Sequence, residues 1–391
     1  MPPSTNRHIV IITHEYFPVL CGGTTMAHKL AVQFAALGHT AEIWTGSVGL
    51  GLPAFERRDG IVVRRFCTGR FSIDESRLWE HLTFTVLGLP QMLLALWRHP
   101  ADTLLSIFVV PSGFIGLMLS WLTGRPSFVH VDAADIPGIE SAMKRFMRFL
   151  GILVRFVSRH SAGMIVTGGL EDLAAPYMTG GRVTVVATGL DIPAERAMPG
   201  NPADRLRFLS VGRLVRRKGF VDLVRAFALA RAQRQDFLLT IVGAGPLEQE
   251  IRAAIREHGL DEHVLLAGRV EYDRLREHYL NADCYIFYGG REGSSLALIE
   301  ALGYGLPLIA SDDPGNRLYI EPGRNGLLAE YGRPERLAES ILQVLDHREL
   351  LPSWGRRSRE IAGQYTWRGT AERYLEFFDE AAGSGPPPSG H

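Results

Sequence analysis

At 391 residues and 46% hydrophobic content, the chain is long enough for two hydrophobic cores of ordinary size. Its 42 basic and 42 acidic residues cancel, which excludes a global field for nucleic acid and makes any basic surface a local one. The 3 cysteines, Cys21, Cys67 and Cys284, are odd in number and lack C-x-x-C spacing, which excludes a dithiol metal or redox site and favours a reducing compartment.

Residues 1–8 carry no apolar core of a signal peptide. The β-branched run 9–13 predicts a buried strand, followed by a loop containing Pro18 and the pair Gly22-Gly23, then a helix over about 25–37. In that helix Met26, Leu30, Phe34 and Leu37 recur at three and four, and Gly38 stops it. Further strands are expected at 41–45, 61–66, 103–108, 127–131, 164–167 and 183–187, with helical patterns between them. The apolar stretches 82–97 and 104–122 are broken by Gly88, Pro90 and Pro111 before about 18 unbroken apolar residues accumulate, so no transmembrane helix is expected. The protein is therefore placed in the cytoplasm.

Residues 1–190 form one expected domain, and the segment 191–204, with three prolines, a glycine and several charges, is its expected linker to the next. A second alternation follows within 205–365: strand 207–211, helix 220–231, strand 237–242, helix 247–258, strand 264–267, helix 272–281 and strand 284–288. Such alternation predicts an α/β fold of two parallel-sheet, Rossmann-like domains facing a central cleft, with ligands beyond the carboxyl ends of the strands. A helix pattern at 366–382 carries Trp367, Tyr374, Phe377 and Phe378, while 383–391 is Pro, Gly and Ser, too polar to pack and expected to be disordered.

The chemistry concentrates between Gly289 and Pro307, where an apolar strand leads through a glycine-rich turn into an amphipathic helix. Glu292 stands in the turn, and Glu300 eight positions on, among helical Leu296, Ile299 and Leu302. A continuous helix would separate the carboxylates by roughly 12 Å, too far for a retaining glycosidase pair or a shared metal, yet suited to one extended ligand. Gly293, Ser294 and Ser295 are expected to open the helix with free amides and hydroxyls, a setting that receives phosphate oxygens. Earlier, Gly212-Arg213-Leu214-Val215-Arg216-Arg217-Lys218-Gly219 turns from a strand into a helix with four cations, of which Arg216 and Arg217 read as solvated. Gly243-Ala244-Gly245 resembles the opening of a dinucleotide fingerprint but has Glu248 at the third glycine position, so a hydride-transferring enzyme rests on that turn alone.

The stretch from Glu292 to Glu300 closely resembles the Glu, seven residues, Glu signature of retaining glycosyltransferases of family 4, which have the GT-B fold. The resemblance extends over nearly the whole chain. It implies that Glu292 contacts the donor sugar, that Glu300 holds the ribose hydroxyls, and that Arg213 and Lys218 lie on the donor diphosphate. Glu292, Arg213 and Lys218 are thus the expected catalytic set. The implied donor-binding set adds Gly22, Gly23, Gly245, Val270, Gly293, Ser294, Ser295 and Leu296. Where many members carry a histidine touching the sugar, this sequence has Asp132, with His130 two residues earlier and Asp135 three later; any of these could reach donor or acceptor. The resemblance further implies a hexosyltransferase that needs no metal or other cofactor, acts by front-side displacement, and takes UDP-hexose first and GDP-mannose second. The alternatives are a nucleotide-sugar epimerase of the same fold and a non-catalytic sugar-nucleotide-binding protein.

Lys144, Arg148, Arg155 and Arg159 fall within roughly 60° of one another at 100° per residue. Two readings stand: a solvated stripe, or attachment to the anionic inner face of a membrane by an enzyme of polysaccharide or lipid-linked glycan synthesis.

Overall fold

The structure, a computed structural model, describes residues 6–19, 21–49, 51–70, 78–137, 144–197, 204–290 and 292–382. It divides into two compact units, Met1–Thr188 with Trp367–His391, and Gly189–Thr366.

The first unit holds strands β1 (His8–Ile12), β2 (Thr40–Val48), β3 (Phe55–Arg58), β4 (Ile61–Arg70), β5 (Thr103–Ile107), β6 (Ser127–Val131), β7 (Gly163–Thr167) and β8 (Arg182–Val186). They form one sheet in the order β3-β4-β2-β1-β5-β6-β7-β8, parallel except for the β3–β4 pair. Side chains of a strand alternate between faces, and β1 shows the consequence. Ile9 and Ile11 join a core with the helices Gly22–Ala36 and Trp367–Ala382, whereas Val10 and Ile12 join another with Leu78–Arg98 and Phe114–Thr123. Helix Trp367–Ala382 buries Trp367, Tyr374, Phe377 and Phe378, each contributing about 1.5–3 kcal/mol, and sets the Phe378 ring 4.5 Å from that of Phe128.

Strand β3 was not expected from the sequence. It is a four-residue edge strand, mostly polar, so no apolar alternation marks it. Its signal is the turn: Asp59 (φ 47°) and Gly60 (φ 82°) both take positive φ, as a two-residue hairpin loop requires, and Asp-Gly is a favoured pair there. The first helix also departs from expectation, starting at Gly22 rather than near Thr25. Cys21 caps it by accepting from the Thr24 amide at 3.4 Å, so Gly22 and Gly23 form the first turn instead of a loop.

The second unit holds β9 (Leu206–Val211), β10 (Phe237–Val242), β11 (Val264–Gly268), β12 (Cys284–Phe287), β13 (Leu308–Ser311) and β14 (Gly326–Ala329), all parallel, in the order β11-β10-β9-β12-β13-β14. That is the doubly wound order of a nucleotide-binding sheet, whose switch point lies between β9 and β12. Phe208, Cys284 and Ile286 face the core under helices Phe220–Arg231 and Pro334–Asp346, while Leu209, Tyr285 and Phe287 face that under Leu296–Gly303. The loops after β9 and β12 are therefore neighbours at the sheet's carboxyl edge.

Candidate active site

At this switch point the two loops exchange charge. Lys218 Nζ donates to Glu292 Oε2 at 2.6 Å, and Arg217 Nη1 lies 3.2 Å from Oε1 of the same carboxylate, which is 8% exposed. Arg217 is thus part of the site, against the expectation of a solvated turn. The Lys218 ammonium also stands 4.9 Å from the centroid of Phe287 at the end of β12. Backbone packing sets these positions. Gly219 has φ 66°, and a Cβ there would come within 2.0 Å of the Tyr288 carbonyl oxygen, so no other residue fits without moving the Lys218 turn off the β12 loop. The Gly290 amide donates to the Arg217 carbonyl at 3.0 Å. Ser311 Oγ donates to the Gly289 carbonyl, and Asn316 Nδ2 reaches Ser311 Oγ at 3.1 Å, framing the loop from the β13 side.

Helix Leu296–Gly303 begins later than expected. Ser295 is its N-cap residue without a side-chain cap bond, and Gly293 and Ser294 precede it. A continuous helical rise between the two glutamates therefore does not apply, because the interval from Glu292 to Ser295 is not helical. The first turn has no side-chain cap; the Leu298 amide donates to the Ser295 carbonyl at 3.0 Å, and those of Leu296 and Ala297 have no partner among the described residues. Ser294 Oγ is 2.9 Å from the Tyr319 hydroxyl. Glu300 lies half-buried on the helix, and its Oε2 accepts from the Tyr279 hydroxyl at 2.9 Å; the Ala297 carbonyl, 3.2 Å away, shares that single proton, and the Tyr279 ring stacks on Tyr304 at 5.0 Å. Tyr279 escaped notice in the sequence because nothing local couples position 279 to position 300.

Arg213 follows β9 with an exposed side chain that pairs with no described carboxylate. Gly245 presses on the backbone of Leu214, whose amide donates to the Ala244 carbonyl at 3.0 Å, so the glycine turn after β10 supports the Arg213 loop. Val270 is half-buried beside the core under Leu296–Gly303.

In the first unit, Gly22 and Gly23 stand after β1 at that sheet's switch point, between β1 and β5. A Cβ on Gly23 would lie 2.3 Å from the Phe108 ring, and Phe108 itself has φ 70°, a strained value for a residue with a side chain. Burial pushes the Cys21 thiol up to about 11, which leaves it a cap and not a nucleophile.

The trio on β6 and beyond is held by its own unit. His130 is 2% exposed; its Nδ1 is 2.7 Å from the Tyr374 hydroxyl and its Nε2 3.3 Å from Thr167 Oγ1. Thr167 Oγ1 in turn donates to the Val131 carbonyl, so a neutral ring that accepts at Nδ1 and donates at Nε2 satisfies the whole chain of bonds. Asp135 accepts from the amides of Val109 (2.8 Å) and Asp132 (3.1 Å), and burial pushes its carboxyl up to about 7. Asp132 caps the same turn through the Ala133 amide at 2.7 Å and is the more accessible of the two acids.

Burial lowers the His130 pKa below its usual 6.5. The unfolded chain then binds a proton that the folded one refuses, so this group's contribution is complete above 6.5 and is lost as pH falls below it. Asp135 has the opposite sign, its contribution falling as pH rises from 3.8 to about 7. A comparison of the wild type with His130→Gln cancels the Asp135 effect. The destabilisation measured by denaturant unfolding is expected to be larger at about pH 7.5 than at about pH 5.5. A difference independent of pH would contradict the neutral buried ring.

Among the described residues, no three or more His, Cys, Asp or Glu gather as a metal site would require, and no helix is long and apolar enough to cross a membrane.

Residues 22–189 match the glycosyl transferase 4-like domain, and residues 191–361 match glycosyl transferases group 1. A D-inositol 3-phosphate glycosyltransferase of Paenarthrobacter aurescens is 26% identical over 387 residues, 92% of this chain and 93% of the relative. Among solved structures, sucrose-phosphate synthase from Thermosynechococcus elongatus superposes with a TM-score of 0.83 at 19% identity, covering 97% of this chain and 100% of the other. Anabaena Alr3699/HepE in complex with UDP and glucose does so with a TM-score of 0.73 at 17% identity, covering 96% and 100%. With two doubly wound sheets and the cations and glutamates at the switch point of the second, the chain belongs to the family 4, group 1 glycosyltransferases of the GT-B fold.

Proposed function

We propose that the protein is a retaining hexosyltransferase that takes a nucleoside diphosphate sugar, UDP-hexose before GDP-mannose, and glycosylates a hydroxyl acceptor. The observation that carries this reading is the Lys218–Glu292–Arg217 cluster at the β9/β12 switch point, with Glu300 on the helix that follows. The UDP and glucose named for the Anabaena neighbour support the choice of base. In the proposed reaction the bond from the anomeric carbon to the phosphate oxygen breaks, and the acceptor oxygen bonds to that carbon on the same face. The acceptor's proton passes to the departing phosphate. Arg213, Lys218 and the open amides before Leu298 stabilise the charge that grows on the diphosphate, and Glu292 holds the sugar, so the reading calls for no metal.

The test is a thermal-shift screen of nucleotide sugars followed by product analysis. A donor at 100 times its dissociation constant stabilises the protein by about 2.7 kcal/mol. Transfer to an acceptor with the donor's anomeric configuration kept supports the proposal; an inverted product rejects the retaining step. An isomerised sugar nucleotide without acceptor points to an epimerase, and binding without turnover to a sensor.

The acceptor is proposed to be lipid-linked and reached from an anionic membrane surface. Arg159 is exposed, whereas Arg155 is partly engaged, donating to the Pro176 carbonyl at 3.2 Å and lying 5.4 Å from the Tyr177 ring centroid. The side chains of Lys144 and Arg148 lie outside the described residues. A second feature supports the same partner: on helix Leu78–Arg98, Trp79, Leu82, Val86 and Trp97 share an arc of roughly 60° and are 42%, 64%, 61% and 68% exposed. Co-sedimentation with anionic vesicles is expected to be salt-sensitive and to fall when Lys144, Arg148, Arg155 and Arg159 are all changed to Gln. Equal binding to neutral vesicles, or no loss in the variant, favours a soluble acceptor.

A further inference from the structure

A cavity of about 410 Å³ opens in the second unit at the other end of the sheet from the glutamate cluster. Ala282 and Asp283 immediately precede β12, and Gly305, Leu306 and Pro307 precede β13, so the cavity sits at the amino ends of strands whose carboxyl ends carry Glu292 and the Asn316 frame. Its volume falls within the range of small-molecule sites.

Three arginines line it. Arg196 comes from the segment after Leu190, and Arg356 and Arg359 from helix Leu351–Ala362. Arg359 is built in: Nη1 donates to the carbonyls of Glu195 (3.1 Å) and Gly303 (2.9 Å), and Nη2 donates to that of Pro193. These acceptors are neutral, so they fix the fork without cancelling its charge. Arg196 and Arg356 are exposed and pair with no described carboxylate. The two acids of the wall are engaged elsewhere. Asp283 takes a two-pronged bond from Arg207 at 2.8 and 3.0 Å, and Glu360 accepts from Arg357 at 2.8 Å. The beginning of the helix, with Pro352 in its first turn and no side-chain cap, adds its positive end to the same rim. The helix and the turn before β13 meet closely here because residue 355 is glycine: a Cβ would come within 2.4 Å of the Gly305 carbonyl oxygen. Ala197, Ala282, Leu306 and Pro307 supply an apolar wall opposite the charges.

We propose that this cavity is a second anion site, separate from the donor site, which binds the phosphate monoester of a small organic molecule. The phosphate sits between Arg196, Arg356 and Arg359, and the organic body lies on the apolar wall. By joining Arg196 to the helix, the ligand ties the segment at 193–197 to the body of its unit. The assignment does not rest on the donor or acceptor chosen above.

Calorimetric titration of the full chain with glycerol 3-phosphate, with glycerol as the uncharged control, tests it. One saturable site is expected for the phosphate and none for glycerol, with affinity falling as salt rises. Arg196→Gln with Arg356→Gln is expected to weaken binding about tenfold or more, since each loses a charge-assisted contact. Both side chains are exposed, and an unchanged melting temperature without ligand verifies that the double variant folds. Lys218→Ala is expected to leave this binding intact. No saturable binding, or binding abolished by Lys218→Ala and retained in the arginine double variant, overturns the proposal; the latter result would place the phosphate at the donor site.

Discussion

Lys218→Ala is expected to lower kcat by about a hundredfold to a thousandfold, the range seen when one preorganised stabiliser of developing charge is removed, while donor affinity falls much less. The leaving diphosphate gains charge on the way to the transition state, so a cation placed beside it acts more strongly there than on the bound donor. In the structure Lys218 is held by the Gly219 turn against Tyr288 and ion-paired with Glu292 at 2.6 Å. Its removal also leaves the buried Glu292 carboxylate with Arg217 as its remaining ion-pair partner, which is a separate, structural cost. The melting temperature of the variant measures that cost, and the split between kcat and donor dissociation constant measures the catalytic effect. Normal turnover in a folded variant would reduce Lys218 to a structural partner of Glu292.

Glu300→Ala is expected to weaken nucleotide binding by about 1.5–3 kcal/mol, or roughly tenfold to more than a hundredfold in dissociation constant. One carboxylate accepting from two ribose hydroxyls would make charge-assisted bonds that alanine cannot replace. In the structure one oxygen, Oε2, is already oriented by the Tyr279 hydroxyl at 2.9 Å. Tyr279→Phe keeps the charge and removes only the orientation, so its effect should be smaller, about 0.5–1.5 kcal/mol. Titration with the free nucleoside diphosphate separates the two variants from any effect on the sugar. Unchanged affinity in Glu300→Ala would make Glu300 an ordinary acid on the helix surface.

The sequence by itself determined the class of fold and marked the stretch that holds the candidate site. Runs such as 9–12 and 164–167 are short, apolar and rich in β-branched residues, and helices such as Gly22–Ala36 show their buried stripe at three and four, because burial on both faces of a parallel sheet leaves no other pattern. The spacing of Glu292 and Glu300, with glycines and serines between, is likewise a local property that can be read along the chain. Tertiary structure decided which groups meet. Lys218 and Glu292, 74 positions apart, pair because β9 and β12 are adjacent in a strand order that periodicity does not encode. The same adjacency drew Arg217 out of an apparently solvated turn. His130 and Tyr374, separated by 244 positions, bond because the last helix belongs to the first unit, so a histidine expected to reach donor or acceptor is buried and bonded within that unit. Helix Gly22–Ala36 begins on two glycines, against their low helix propensity, where the Cys21 cap and the close approach of Phe108 at Gly23 act together. The arginine-lined cavity gathers segments around 196, 283, 306 and 356, none of which carries a motif. Faces of helices and strands follow from nearest neighbours along the chain, whereas pairs of charges follow from the order in which strands are laid down.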